Sequence, residues 1–116
     1  MNPREVCLLI GREGEVLWSD SSDSAVSLPD SRARWEALWR LRGEVEEIAH
    51  SHPLGPLAFS AEDETTMEAI LLALGRPVRF SVVAPGGTLL RADGREARLA
   101  QEPPWVALLR ARSGMT

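Results

Sequence analysis

The sequence predicts a small mixed α/β domain in which helices flank a central mixed sheet. The first observation is the length, because 116 residues suffice for one domain with one modest hydrophobic core. The second is that strand-like and helix-like patterns alternate along the chain, as in sheets covered by helices. The third is a sequence without internal repeats, low-complexity tracts or linkers, so residues 1–116 are expected to form a single domain.

The N-terminal segment predicts a β-hairpin. "REVCLLIG" is apolar on both alternating faces, which is expected of a strand covered on both sides. One face carries Cys7 and Leu9, and the other carries Val6, Leu8 and Ile10. "GREG" supplies the turn and "EVLWS" the returning strand, and the following "DSSDSAVSLPDS" is expected to be a polar loop.

A first helix is expected to begin near Asp30 or Ser31, either of which could cap it, and to end at Gly43. The i, i+3, i+4 spacing of an apolar stripe indicates that this stripe faces the core. The stripe consists of Trp35, Leu38 and Trp39.

Further along, "EVEEIAHSH" predicts a strand, and a second helix is expected from Ser60 to Gly75. Its inward face should consist of Met67, Ile70, Leu71 and Leu74. "PVRFSVVAP" and "GTLLRADG" predict two more strands joined by "PGG", and "PPWVALLRAR" a short C-terminal helix. The predicted order is therefore β-β-α-β-α-β-β-α.

Composition argues against several classes of protein. The net charge is −4 and the 13 basic residues are scattered, so a nucleic-acid binder is not expected. Cys7 is the only cysteine, which excludes an intrachain disulfide, and its strand context favours a core residue over a nucleophile. The apolar stretch near the N-terminus is too short for a signal peptide or a membrane span, so a cytoplasmic protein without a membrane partner is expected.

The chain's two histidines, His50 and His52, lie one residue apart and shortly before an acidic helix start. Residues two apart in a strand point to the same face, so both imidazoles should project together. Asp63 falls in the first turn of the helix that enters at Ser60. Two imidazoles and one carboxylate form a three-ligand set with an open fourth position, the pattern of a catalytic zinc. The alternative is that Ser60 and Asp63 only form a capping box.

The same segment resembles the motif of the JAMM (MPN+) metalloprotease family. That motif is H-x-H, seven residues, then S-x-x-D, and "HSHPLGPLAFSAED" matches it at each of these positions. The surrounding residues agree, with a Gly-Pro pair, an aromatic residue before the Ser, and an apolar helix after it. The resemblance is strongest from Ile48 to about Leu74.

This resemblance implies a cytidine-deaminase-like MPN/JAMM fold with a zinc ion bound by His50, His52 and Asp63. It also implies that Ser60 stabilises the oxyanion of the intermediate, and that a glutamate on an earlier strand serves as general base. In the family that glutamate opens a strand ending in "LL-x-G", which "EVCLLIG" is similar to, so Glu5 is the candidate. Glu5 lies six residues before Gly11, where the family generally has seven.

The general base therefore stays open at the level of sequence. Without a gap, Arg4 occupies the position expected from the family. The other acids near the hairpin turn are Glu13, for which a solvated carboxylate is the ordinary interpretation, and Glu15.

Two functions follow from the resemblance. The first is a zinc-dependent peptidase or isopeptidase that acts on the C-terminal tail of a ubiquitin-like or small sulfur-carrier protein. The second is a non-catalytic binding or scaffold module of the same fold. Trp105 and the C-terminal "VALLRARSGMT" either cover a homodimer face or close the core.

Overall fold

A computed structural model describes residues 2–115, which form one six-stranded sheet and three helices. The strands are β1 (Val6–Ile10), β2 (Val16–Ser21), β3 (Glu47–Ser51), β4 (Arg79–Ala84), β5 (Gly87–Ala92) and β6 (Arg95–Arg98). The helices are α1 (Arg32–Arg40), α2 (Ala61–Leu74) and α3 (Pro104–Ser113). The fold is the predicted mixed α/β arrangement.

The sheet has the spatial order β2-β1-β3-β4-β5-β6. The pairs β1–β2, β1–β3, β4–β5 and β5–β6 are antiparallel, whereas β3 and β4 are parallel. Parallel neighbours need a crossover connection, and α2 provides it. Strand β3 therefore lies in the centre of the sheet, and residues 52–60 connect its C-terminal end to α2.

Helices cover both faces of the sheet, and β1 is buried on both sides as predicted. On one face Cys7 and Leu9 pack with residues of α1 and α2, including Leu38 and Ile70. On the other face a second cluster joins the sheet to α3 and consists of Val6, Leu8, Ile10, Ala49, Val83, Trp105, Val106, Leu109 and Met115. Trp105 thus closes the core, and the homodimer stays a prediction.

Helix α1 differs from its prediction at both its end and its apolar face. Ser31 caps it as expected, since its side chain accepts a hydrogen bond from the Arg34 amide. The helix ends at Arg40, however, and residues 41–44 form a turn instead of continuing to Gly43. Trp39 is 56% exposed, so its assignment to the core was wrong. The Arg42 guanidinium lies 4.2 Å from the Trp39 ring centroid, which gives this exposed ring a cation–π partner.

The loop before α1 is shorter than predicted because β2 continues through Asp20 and Ser21. Arg34, which is buried, explains this extension. Its Nε lies 3.2 Å from Asp20 Oδ1 and its Nη2 lies 2.9 Å from Asp20 Oδ2. This two-pronged ion pair ties α1 to β2, the edge strand of the sheet.

Helix α2 agrees with its prediction in length and in both caps. It follows Ser60, and Gly75 ends it in the left-handed conformation with φ = 67°. Met67 and Ile70 are buried and Leu74 packs against the same cluster. Leu71 is 40% exposed, so its place on the inward face was wrong.

Strand β6 was missed by the sequence analysis, which ended the strand pattern at "RADG". Asp93 and Gly94 both have positive φ, and they connect β5 to β6 as a tight hairpin. All four residues of β6 are exposed, so no apolar alternation marked it. The Asp-Gly pair was the available signal, because it is strongly preferred in such turns. Within residues 2–115, no helix is long and apolar enough to cross a membrane.

Candidate metal centre

The two histidines meet at the C-terminal end of β3. His50 lies opposite Cys7 in the β1–β3 pairing, and His52 follows the last residue of the strand. The His50 and His52 Nε2 atoms are 3.1 Å apart, and the rings pack edge to face at 4.8 Å between centroids. The prediction that both imidazoles project from one face is confirmed.

The first turn of α2 brings Asp63 to the same place. Its amide donates to Ser60 Oγ at 3.0 Å, and the Ser60 amide donates to Asp63 Oδ2 at 2.8 Å, which completes a capping box. The same Oδ2 lies 3.1 Å from His50 Nε2 and 3.3 Å from His52 Nε2. The capping and metal-ligand interpretations are therefore compatible, because one carboxylate is placed for both.

The three donor atoms have the spacing that a tetrahedral metal ion requires. Their separations are 3.1, 3.1 and 3.3 Å. Zinc bonds to nitrogen and oxygen of about 2.0–2.1 Å at tetrahedral angles place the donors about 3.3 Å apart. The chemistry of the donors also fits, since two imidazoles and a carboxylate suit zinc better than calcium or magnesium.

A backbone carbonyl fixes the orientation of His52. Its Nδ1 donates to the Pro56 carbonyl oxygen at 3.0 Å, an outer-shell contact that directs Nε2 toward Asp63. The loop reaches this position through Gly55, whose φ of 74° favours glycine and whose amide donates to the His52 carbonyl. Sequence analysis missed Pro56 because the acceptor is a backbone atom.

Charge in the site favours a cation at the centre of the triangle. Burial opposes the ionised form of Asp63, but hydrogen bonds from His50 and His52 hold its pKa well below the usual range. Burial also opposes a charged His52, but Asp63 and the Pro56 carbonyl raise its pKa. A lone pair of Nε2 facing a carboxylate oxygen is stabilised only by a proton or a metal ion between them.

Glu5 lies directly before β1 and is only 6% exposed. It lines the same cavity as the three candidate ligands, and it lies two residues before Cys7, on the face that carries His50. The pKa of Glu5 is raised to about 7, chiefly by burial; the charges of Asp63 and Glu62 add to this increase, and the charge of His52 opposes it.

The other acids considered from the sequence lie elsewhere. Glu13 and Glu15 are exposed at the opposite end of β1, where the Glu13 amide donates to the Glu15 side chain. Arg4 directly precedes Glu5, and successive side chains in extended backbone point to opposite faces of the sheet. The Arg4 carbonyl accepts a hydrogen bond from Ser113 of α3, which lies on the other side of the sheet. Among these candidates, Glu5 is the one that lines the cavity shared with His50, His52 and Asp63.

The cavity has a volume of about 580 Å³, much larger than a metal ion needs. Its polar lining includes the candidate ligands together with Glu5 and Ser60. Its apolar lining includes Cys7, Ile48, Met67, Ile70 and Phe80. The segment Val26–Pro29 forms a further wall, a role that the polar composition of this loop did not indicate.

Comparison with protein families agrees with this geometry. A family model described as prokaryotic homologs of the JAB domain matches residues 2–100. That range contains the three candidate ligands, Ser60 and Glu5, and ends before α3. No curated protein sequence matches the chain.

Proposed function

The chain belongs to the family of prokaryotic homologs of the JAB domain, and on that premise we propose that it is a zinc-dependent peptidase or isopeptidase. The observation that carries this proposal is the triangle of donor atoms at 3.1–3.3 Å inside a cavity that also contains a buried carboxyl group. His50, His52 and Asp63 would hold the metal. When bound, zinc supplies Lewis acidity, which polarises a carbonyl and lowers the pKa of water.

Glu5 is the proposed general base. A pKa of about 7 lets the same group accept a proton from the attacking water and then donate it to the leaving nitrogen. Burial shields the Glu5 carboxyl group from bulk water. Its position on the His50 face directs the carboxyl group toward the cavity. Glu5 therefore carries the proton transfers of amide hydrolysis in this proposal.

Ser60 is the proposed donor to the developing oxyanion. Its oxygen accepts the Asp63 amide, which leaves the hydroxyl proton available to a group bound in the cavity. A donor at the position where negative charge develops contributes about 3 kcal/mol to transition-state stabilisation. Ser60 thus has two functions, capping α2 and assisting the reaction.

We propose as substrate the C-terminal tail of a ubiquitin-like or small sulfur-carrier protein. The family and the cavity support this class, since about 580 Å³ accommodates a few residues of an extended chain but no folded domain. A flexible tail can enter while its folded domain stays outside. We further propose a cytoplasmic protein, in keeping with a single buried cysteine.

The test is cleavage of a ubiquitin-like protein fused at its C-terminus to a reporter peptide. Zinc-loaded protein should release the reporter, and chelator-treated protein should not. Glu5→Gln should lower kcat by about 100-fold or more while the zinc content stays unchanged. Glu13→Gln, which alters an exposed carboxylate outside the cavity, is the matched control.

Equal rates for Glu5→Gln and wild type would refute Glu5 as the base. Protein that binds zinc but cleaves neither this fusion nor the matching fusion of a small sulfur-carrier protein would contradict the enzyme and favour the non-catalytic binding module. Zinc content separates this outcome from a simple failure to form the site.

A further inference from the structure

Two buried serine hydroxyls meet on the α3 side of the sheet, behind the candidate metal centre. Ser51 Oγ and Ser113 Oγ are 2.8 Å apart, and both residues are fully buried. Ser51 stands between His50 and His52 in the chain, so its side chain points to the opposite face of the sheet. Ser113 is the last residue of α3.

The two hydroxyls bind the peptide groups on either side of Glu5. The Val6 amide donates to Ser51 Oγ at 2.9 Å, and the Ser113 hydroxyl donates to the Arg4 carbonyl oxygen. These groups belong to the two peptide bonds that flank Glu5. Each serine hydroxyl has one proton to donate. If the Ser51 hydroxyl donates to Ser113 Oγ while the Ser113 hydroxyl donates to the Arg4 carbonyl, each of these protons forms one hydrogen bond.

The backbone of Glu5 itself is held from the other side. Its amide donates to the Ser24 carbonyl at 2.8 Å, and its carbonyl accepts the Ser22 amide at 2.9 Å. The β1–β3 pairing ends with Cys7 opposite His50, so Glu5 lies outside that ladder. Side-chain hydroxyls therefore connect β3 to this segment where regular strand pairing has stopped.

The end of α3 is packed tightly against the segment that precedes Glu5. The Arg4 amide donates to the Ser113 carbonyl at 3.0 Å. Gly114 follows with φ = 79°, and a Cβ atom there would lie 3.2 Å from the Asn2 carbonyl oxygen and from Pro3 Cα. Helix α3 lies beyond the 2–100 range of the family model, so the Ser113 half of this contact comes from outside the matched region.

We propose that Ser51 and Ser113 are positioning residues that fix the Glu5 carboxyl relative to the metal ligands. The inference rests on the proposed function for its consequence in catalysis. Ser51 belongs to β3, the strand that also contains His50. The two hydroxyls therefore connect the segment that contains Glu5 directly to β3. A displacement of about 1 Å in a reacting group lowers rates by about 100-fold, so loosening this contact should reduce turnover strongly.

The experiment compares zinc-loaded full-length Ser113→Ala and Ser51→Ala with wild type. Ser51→Thr keeps the hydroxyl and serves as the rescue variant. Ser81→Ala is the matched control, because Ser81 is also fully buried but its hydroxyl donates to Glu47. The measurements are hydrogen exchange of the Val6 amide relative to Leu9, the carbon-13 signal of the Glu5 carboxyl, zinc content, kcat and KM.

In both alanine variants, the Val6 amide should exchange about 10-fold faster relative to Leu9, and the Glu5 carboxyl signal should move. We expect kcat to fall about 10-fold with KM within about twofold and zinc content unchanged, the pattern of a lost transition-state interaction. Ser51→Thr and Ser81→Ala should resemble wild type in all of these. If Ser113→Ala does not fold, the comparison of Ser51→Ala with Ser51→Thr tests the proposal by the same measurements.

An unchanged Glu5 signal with unchanged Val6 exchange would overturn the inference, and so would a shifted signal with wild-type kcat. Wild-type protein without hydrolytic activity would refute the proposed function instead. In that case the exchange and carboxyl signals still decide whether the serines hold Glu5.

Discussion

The Oδ2 atom of Asp63 lies 3.1 Å from His50 Nε2 and also accepts the Ser60 amide at 2.8 Å. One carboxylate oxygen thus caps α2 and faces the imidazoles. The helix cap holds this oxygen in position before any metal binds, which reduces the ordering that binding requires. Metal affinity and helix stability should therefore be linked at Asp63, and substitution should separate the two contributions.

Asp63→Asn should lose the metal and keep most of the cap. The asparagine carbonyl can still accept the Ser60 amide, but a neutral amide is a much weaker zinc ligand. Loss of an outer-shell partner typically lowers metal affinity by about 10- to 100-fold. Asp63 is a proposed direct ligand, so zinc affinity should fall by at least about 100-fold. In metal-free protein at alkaline pH, Asp63→Ala should cost about 1 kcal/mol more than Asp63→Asn. Zinc titration and urea unfolding measure the two effects, and equal unfolding curves for the two variants would contradict the capping contribution.

Purified wild-type protein should contain about one zinc per chain, and His50→Ala/His52→Ala should contain none. Zinc at 100 times its Kd should stabilise metal-free wild type by about 2.7 kcal/mol and leave the double variant unchanged. Elemental analysis and thermal unfolding check this. Glu13→Gln/Glu15→Gln, in the exposed turn, is the control and should bind zinc normally. Folded wild-type protein that takes up no added zinc would refute the metal site.

The sequence predicted the cluster of His50, His52 and Asp63 because the three side chains are close in the chain and lie on or next to regular elements. The end of β3 and the residue after it place His50 and His52 on one face, and the capping box locates Asp63 in the first turn of α2. Local rules of this kind depend on a few neighbouring residues. The family motif added the chemistry that these rules alone leave open.

Sequence could not decide on Glu5, because its position depends on three parts of the chain that are distant from it. The segment before β1 is held by the Ser22–Ser24 loop, by Ser51 and by the end of α3. No periodicity reports such contacts. The errors at Trp39 and Leu71 have a related cause. Helical spacing gives the direction of a side chain, but it does not show whether another part of the chain packs over that side chain.

The buried ion pair between Arg34 and Asp20 should be sensitive to the loss of either partner. Arg34→Met should destabilise the protein by about 3 kcal/mol, because it leaves the Asp20 carboxylate partly buried without its partner. Arg34→Met/Asp20→Leu should recover most of that loss, since the remaining charge is removed as well. Urea unfolding of the single and double variants gives the coupling energy.

The control for that cycle is Arg32→Met. Arg32 pairs with Glu36 on the exposed face of α1, and its side chain is 92% exposed. Its substitution should change the free energy of unfolding by less than about 0.5 kcal/mol. Losses of similar size for Arg32→Met and Arg34→Met would show that burial does not strengthen the Arg34–Asp20 pair.

Glu5→Gln should change how the stability of the metal-free protein depends on pH. The pKa of Glu5 is raised from 4.5 to about 7 in the folded state, so the folded protein holds a proton that the unfolded chain releases. The stability associated with this group is fully present below pH 4.5 and is lost as the pH rises to about 7. Above that pH the buried carboxylate lowers the free energy of unfolding by on the order of 3 kcal/mol at most.

Glutamine carries no charge, so the variant should gain stability relative to wild type as the pH rises from 4.5 to 7 and show a constant difference above it. Urea unfolding of chelator-treated protein between pH 4 and pH 9 measures this difference. Glu13→Gln, whose carboxylate is exposed in the turn, should give a curve parallel to wild type. A curve for Glu5→Gln that is also parallel would mean that the Glu5 carboxyl titrates as it does in the unfolded chain. The proposed proton transfers near neutral pH would then lack their physical basis.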